Sequence, residues 1–334
     1  MEEETMKKII ALLLVLAMFA CLFVGCGGSD ATAEAGDGEE ATYKIAYMTN
    51  ASINDGGWNQ ACYSGMVGAA EAYGFETAYT ENIAEADYVT TLSDYANMGF
   101  DLIFVPGNEY TDAVEEVAPN YPDVGFMILN GTVSGDNYIS IKADNVQMGF
   151  MAGVIAGLRT NTNQLGYVGA EEITTSIDCL NGYTQGALYV NPDIEVSSGY
   201  TGSWTDSAKG KEIAISMITT KDVDVFFGNA GQIDVGVREG AAEHEARYGI
   251  AQPSDCLEEN PDIILTSVVT DNVALISLGL EDWVNGEFGG KVYEAGAAEG
   301  VLTYGAFGNN GKEFEEQVME IYDALVAGEI ELTY

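Results

Sequence analysis

From Tyr43 onward the chain alternates short, nearly unbroken apolar runs with longer stretches in which apolar residues recur at helical spacing. Residues 44–48 read as a strand, and residues 58–73 as a helix whose Ala61, Ala69 and Ala70 allow close packing. Leu102-Ile103-Phe104-Val105 is continuously apolar and ends at Pro106-Gly107, the pattern of a strand buried on both faces. Residues 124–129 repeat that pattern, residues 138–143 follow as a strand, and residues 146–158 as a helix rich in small residues. The second half uses the same grammar. Strands are predicted at 165–168, 196–200, 223–227, 248–250 and 263–269, and helices at about 178–190, 206–219, 233–246, 272–285 and 312–327. Strands alternating with helices of this length predict an α/β protein with two doubly wound parallel-sheet lobes. In such sheets ligands bind beyond the carboxyl ends of the strands.

The amino-terminal segment follows a different pattern. Lys7 and Lys8 precede an apolar run over residues 9–24, short of the ~20 residues that a membrane-spanning helix needs. Gly25-Cys26 closes that run. The segment resembles a bacterial lipobox, with Phe23 a mild departure from it, and a plain secretory signal is the alternative. Residues 1–25 are therefore expected to be a signal peptide, and residues 26–42 a flexible tether lipidated at Cys26. The expected lobes are 43–143 with about 272–300, and about 144–271 with 301–334. Localisation is expected to be extracytoplasmic, at the cell membrane through the lipid.

Charge narrows the list of partners. Acidic residues number 53 against 12 basic ones, and this argues against nucleic acid, whose phosphates need a basic stripe. Anionic ligands are repelled at long range, so neutral or cationic small molecules suit the field better. After Cys21 and Cys26, the cysteines left are Cys62, Cys179 and Cys256, an odd number without C-x-x-C spacing. Three free, buried thiols are expected, with one disulfide and a free thiol as the alternative, and no zinc site. The single histidine, His244, reads as a surface residue on a helix. With no G-x-S-x-G elbow, no Walker lysine loop and one isolated histidine, nucleophilic catalysis is a poor reading, and no cofactor or metal is expected.

What stands at the predicted strand ends is a set of amides, hydroxyls and aromatics. Asn54, Asp55, Trp58 and Asn59 follow the first strand, Asn108, Glu109 and Tyr110 a later one, and Asn130 the next. In the second lobe come Trp204 within Tyr200-Thr201-Gly202-Ser203-Trp204-Thr205-Asp206, then Asn229 and Gly231, then Gln252 and Thr270. Such groups hydrogen-bond a polar ring and stack on its faces, which suits binding better than bond-breaking. Asn54, Asp55 and Asp206 also suit helix N-caps.

Asn54-Asp55-Gly56-Gly57-Trp58-Asn59-Gln60, the small-residue helix Gly149 to Gly157, Tyr189-Val190-Asn191-Pro192-Asp193 and the segment ending at Asp206 occur in the order seen in one family. The chain resembles the basic membrane protein family of substrate-binding lipoproteins, the receptors of nucleoside-type ABC importers. The resemblance implies a type I periplasmic-binding-protein fold with two lobes joined by a three-stranded hinge. It also implies a purine-type ligand held between Trp58 and Trp204, an ABC permease as partner, and a monomer that is not an enzyme. Two departures concern the ribose. Where the family carries an aspartate this chain has Ala251, and where it carries a lysine this chain has Thr270. The reading is therefore a flat heterocycle, a free base or modified purine rather than a standard nucleoside, with Gln252 and Thr270 as replacement partners. A sugar or signalling-molecule receptor on the same fold, an extracytoplasmic nucleoside hydrolase, and a surface adhesin or sensor lobe are the alternatives.

Overall fold

The computed structural model describes residues 43–55 and 58–334. The predicted signal peptide, Cys26 and its tether lie outside the described residues. The first sheet is built from β1 (Lys44–Met48), β2 (Glu76–Thr80), β3 (Leu102–Val105), β4 (Gly125–Leu129) and β5 (Tyr138–Ala143). Between them run α1 (Trp58–Tyr73), α2 (Tyr88–Asn97) and α3 (Thr111–Val117). The chain then crosses into α4 (Asn145–Arg159), β6 (Gln164–Gly169), α5 (Thr174–Val190), β7 (Glu195–Tyr200), α6 (Ser207–Lys221), β8 (Val225–Asn229), α7 (Gly231–Ala242), β9 (Tyr248–Ala251) and β10 (Ile264–Thr270). It returns through α8 (Asn272–Asn285) to β11 (Val292–Ala295) in the first sheet. It then crosses again to β12 (Leu302–Tyr304) and ends with α9 (Glu315–Val326).

The strand orders are β11-β5-β4-β3-β1-β2 and β12-β10-β9-β8-β6-β7. Every pairing is parallel except β10 with β12. This is the α/β, two-sheet architecture predicted from the apolar grammar. β3 and β4 are buried at every residue, as their unbroken apolar runs require when helices cover both faces. One apolar cluster contains Tyr47 and Leu102 of the first sheet together with Leu165 and Val225 of the second. Separate clusters fill the opposite face of each sheet.

Several elements differ from expectation. β2, α2, α3, β11 and β12 were not foreseen, and β8 runs two residues past its predicted end. His244 lies half-buried in a turn beyond the end of α7 rather than on the helix. All three cysteines are free, but only Cys62 and Cys179 are buried, because Cys256 sits in the partly covered loop after β9.

The chain passes between the sheets three times: at Asp144, at Asp271 and between β11 and β12. Each passage leaves the carboxyl end of a strand, so the two carboxyl edges adjoin there. Asp144 N–H donates to the Ala295 carbonyl (2.9 Å) and Asp271 N–H to that of Val301 (2.8 Å), so the three passages are bonded to one another. Asp144 also accepts from the Gln147 backbone N–H and Nε2, and Gln147 Oε1 accepts from Ala297 N–H (3.0 Å).

α4 and α5 touch backbone to backbone. A Cβ on Gly149 would overlap the Cys179 carbonyl oxygen, and one on Gly182 would overlap that of Val146. Helix propensity alone would make Gly149→Ala stabilising by about 1 kcal/mol. Overpacking against backbone, which cannot rotate away, costs about 1–3 kcal/mol and reverses that sign. Gly149→Ala is thus expected to lower the urea midpoint of the protein. A raised midpoint would show that the two helices separate freely.

Candidate functional site

In a sheet wound in both directions, the loops at the strand-order reversal leave toward opposite faces and open a crevice at the carboxyl ends. In the first sheet that point lies between β1 and β3, and in the second between β6 and β8. Trp58, Asn59, Asn108 and Glu109 fall at the first of these points and Asn229 at the second, while Asn130, Trp204 and Gln252 follow β4, β7 and β9 and Thr270 ends β10.

At β1 and β3 the loops are tied together. Trp58 opens α1 and is 36% exposed, too open for a core residue, and its Nε1 donates to the Pro106 carbonyl at the end of β3 (2.8 Å). The indole is therefore held across the crevice with its polar edge already used. Tyr110, fully buried, accepts the Asn50 N–H at its hydroxyl (2.7 Å), a second tie between the same loops. Asp55 accepts the backbone N–H groups of Asn59 and Gln60 and so caps α1. The Asn59 side chain is occupied, accepting from Thr49 Oγ1 (2.6 Å) and donating from Nδ2 to Asp55 (2.9 Å). Asn59 thus braces Asp55, while Asn54 in the turn ahead is exposed.

Asn108 and Glu109 form a short turn after β3, and both are exposed. The Glu109 carboxylate folds back against the α-carbon of Gly107, where a Cβ would overlap it. Loss of water there raises its pKa above the ordinary carboxylate range, opposed by a bond from its own backbone N–H. Asn130 follows β4 in a left-handed conformation (φ 57°), which asparagine tolerates, and its N–H bonds the Ile141 carbonyl.

In the second lobe Asn229 ends β8, half-buried, and donates from Nδ2 to Cys179 Sγ on α5 (3.1 Å), spanning the β6/β8 crevice. Ala230 follows at φ 150°, a backbone state that residues with a Cβ rarely adopt, and Gly231 opens α7. Trp204 stands beyond β7 at the sheet edge, 46% exposed, in a loop tightened by Thr201 Oγ1 donating to the Ser203 carbonyl. Asp206 caps α6 by accepting from Lys209 N–H (2.9 Å).

Gln252 and Thr270 are brought together. Gln252 is almost fully buried and Thr270 N–H bonds the adjacent Pro253 carbonyl (2.8 Å), while Thr270 Oγ1 is buried without a hydrogen-bond partner. Ala251, at the position of the absent aspartate, is fully buried. Beneath these loops lies an ion pair that the sequence reading missed: Asp234 Oδ2 with Arg238 Nε (2.9 Å), extended from Arg238 Nη1 to Glu259 (2.6 Å). Burial pushes the Asp234 carboxyl up to about 7 against the pull of Arg238. The i,i+4 spacing of Asp234 and Arg238 was the available signal.

Among the described residues no cluster of His, Cys, Asp and Glu could hold a metal ion. No helix there is long and apolar enough to cross a membrane.

Two parallel-sheet lobes, three passages between adjoining carboxyl edges, and exposed indoles with polar side chains at the strand ends define a two-lobed solute-binding protein of the type I periplasmic-binding-protein fold. Residues 42–333 match the family described as ABC transporter substrate-binding protein PnrA-like, and the chain belongs to that family. It is 31% identical over 242 residues to the ABC transporter nucleoside-binding protein BmpA of Lactococcus lactis, covering 69% of this chain and 67% of the relative. It is 28% identical over 235 residues to a purine-binding protein of Brucella abortus, covering 70% and 66%. A solved transcriptional activator of the comK gene from Bacillus halodurans shares the fold, with a TM-score of 0.76 at 23% identity over 87% of this chain and 100% of the other.

The occupied amide of Asn59 separates bracing from ligand contact. Asn59→Ala is expected to destabilise the protein by about 1–2 kcal/mol, because two side-chain hydrogen bonds go and Asp55 loses its brace. Asn54→Ala should stay within about 0.5 kcal/mol. Urea unfolding of both variants checks this, and equal effects would refute the division of roles.

Proposed function

We propose that this protein is the lipid-anchored, extracytoplasmic receptor of an ABC importer and binds a purine-type ligand: a nucleobase, a modified purine or a nucleoside. The observation that carries the reading is Trp58, an exposed ring fixed by Pro106 across the β1/β3 crevice. A ring held in this way is ready to stack on a flat heterocycle without further ordering. The names of the Lactococcus and Brucella relatives support the purine class.

Residues 43–143 with about 272–300 form one lobe and about 144–271 with 301–334 the other. Closure about the three passages brings Trp204 onto the face of the ring opposite Trp58. Asn54, Asp55, Asn108, Glu109 and Asn130 serve the ring edge from the first lobe, with Asn229, Gly231, Gln252 and Thr270 from the second. Ala251 and Thr270 offer a ribose no charge, which favours a free base or modified purine over a standard nucleoside. The receptor works as a monomer, delivers its ligand unchanged to the permease, and is held to the membrane by lipid on Cys26.

Thermal shift with nucleobases, nucleosides, pentoses and hexoses is the first test. A ligand at about 100 times its dissociation constant adds roughly 2.7 kcal/mol of stability. A shift with bases or nucleosides is expected, whereas a response to sugars alone would move the protein to the sugar-receptor class. Trp204→Ala should weaken binding by about 1–3 kcal/mol, the worth of one stacked base, without changing the melting temperature of the free protein. Unaltered affinity would remove Trp204 from the site.

A further inference from the structure

α7 leaves the end of β8 beside the second strand-order reversal and presses on the sheet. A Cβ on Gly228 of β8 would overlap the Asp234 backbone at 2.6 Å, so glycine at that position admits the approach. Asp234 is fully buried and Arg238 nearly so. Asp234 Oδ2 takes Arg238 Nε, and Arg238 Nη1 reaches Glu259, which is more than half exposed in the loop after β9. Asp234 Oδ1 has no hydrogen-bond partner, while the Gln252 backbone N–H lies close enough to favour the charged carboxylate.

Stability does not account for this cluster. Taking two charges out of water commonly costs more than their attraction returns, and apolar side chains of the same volume do as well or better. Here burial pushes the Asp234 carboxyl up to about 7 although Arg238 pulls it down, the sign of a desolvation cost that pairing leaves unrecovered. What the guanidinium adds is geometry, since its planar fork holds two acceptors in fixed directions. One of those acceptors lies on α7 and the other in the loop after β9.

That loop carries one ligand candidate and is bonded to another. Gln252 opens it, and the Pro253 carbonyl accepts the N–H of Thr270 (2.8 Å). Elsewhere the loop is tied to the second sheet and to the chain beyond it. Cys256 N–H donates to Ser267 Oγ of β10 (3.1 Å), and Asp255 accepts the N–H of Ala306 (3.0 Å), just past β12 and the third passage. We propose that Asp234, Arg238 and Glu259 are positioning residues for ligand binding. They set the loop after β9 against the opening of α7, and so place Gln252 and Thr270 at the ring edge without touching the ligand. This rests on the purine reading above and on Gln252 as a ligand partner.

Calorimetric titration of the purified protein with adenine, hypoxanthine, adenosine and inosine selects the compound that the wild type binds best. Asp234→Leu combined with Arg238→Met replaces the pair by apolar groups of similar shape. The urea midpoint of this double variant should equal or exceed that of the wild type, while its affinity falls about tenfold. Gln252→Ala should weaken binding about tenfold in the wild-type background and less than about twofold in the double variant, because an amide no longer held in place has little to lose. Glu259→Ala, at an exposed position, should cost about fivefold in affinity, and Glu259→Gln, which keeps an acceptor for Arg238, should restore most of it. Unaltered affinity in the double variant, or an equal effect of Gln252→Ala in both backgrounds, would overturn the positioning role and leave the purine reading standing. So would an affinity that falls only together with the urea midpoint, with Glu259→Ala binding as the wild type does. Failure of all four compounds to bind the wild type would overturn the purine reading and this role with it.

Discussion

The handedness of the crossovers governs this molecule. A strand–helix–parallel strand unit turns right-handed, so a sheet can grow in both directions only by reversing its strand order once. Here the reversals fall between β1 and β3 and between β6 and β8. Residues with no proximity in sequence meet there: Trp58 with Pro106, Tyr110 with Asn50, and Asn229 with Cys179. Without the reversal these loops would leave on one face and cover one another. The site is thus a consequence of winding before it is a consequence of any side chain.

The two crevices are finished differently. In the first lobe the polar atoms are largely spent on one another: the indole N–H on Pro106, the Asn59 amide on Thr49 and Asp55, the Tyr110 hydroxyl on Asn50. What remains, besides the exposed Asn54 and Asn108, is an aromatic face, already ordered. In the second lobe Asn229 is spent on Cys179 and Asp206 on Lys209, while the Ser176 and Thr270 hydroxyls are buried without a partner and Ala230 is strained. Ordering one half in advance lowers the entropy that any binding there must recover. The bonded passages at Asp144, Asp271 and Ala295 keep the two halves adjacent while each lobe remains a separately wound sheet.

Legibility in the sequence followed burial. β3 and β4, covered on both faces, show unbroken apolar runs and were readable, as were the small-residue helices α1 and α4. β2 was invisible because it is an edge strand, Glu76-Thr77-Ala78-Tyr79-Thr80, with no buried residue and hence no apolar alternation. β11 and β12 are short edge strands that exist through pairing rather than pattern. The start of α5 was read four residues late because Ile173 stands where Ser, Thr, Asp or Asn would announce a helix. Strand-end residues were legible as a set, since amides and aromatics after apolar runs need a reason to be there. Their division into braces and free groups was not, because it depends on contacts such as that of Thr49 with Asn59.

The charge distribution then explains what kind of polarity the site uses. Lys142, Lys209, Lys211, Arg238, Arg247, Lys291 and Lys312 each sit in an ion pair, and none of those pairs includes a strand-end residue assigned to the ligand. Arg159 lies over the Tyr248 ring instead. At position 270, where a lysine would bring a cation, stands a threonine with an unpaired hydroxyl. A chain this acidic that places its cations elsewhere must attract electron-rich ligand atoms with something other than side-chain charge. Amides and hydroxyls such as those of Gln252 and Thr270 offer hydrogen bonds that need no counter-ion. Groups of that kind answer to the donors and acceptors of whatever they meet, and aromatic faces answer only to its flatness.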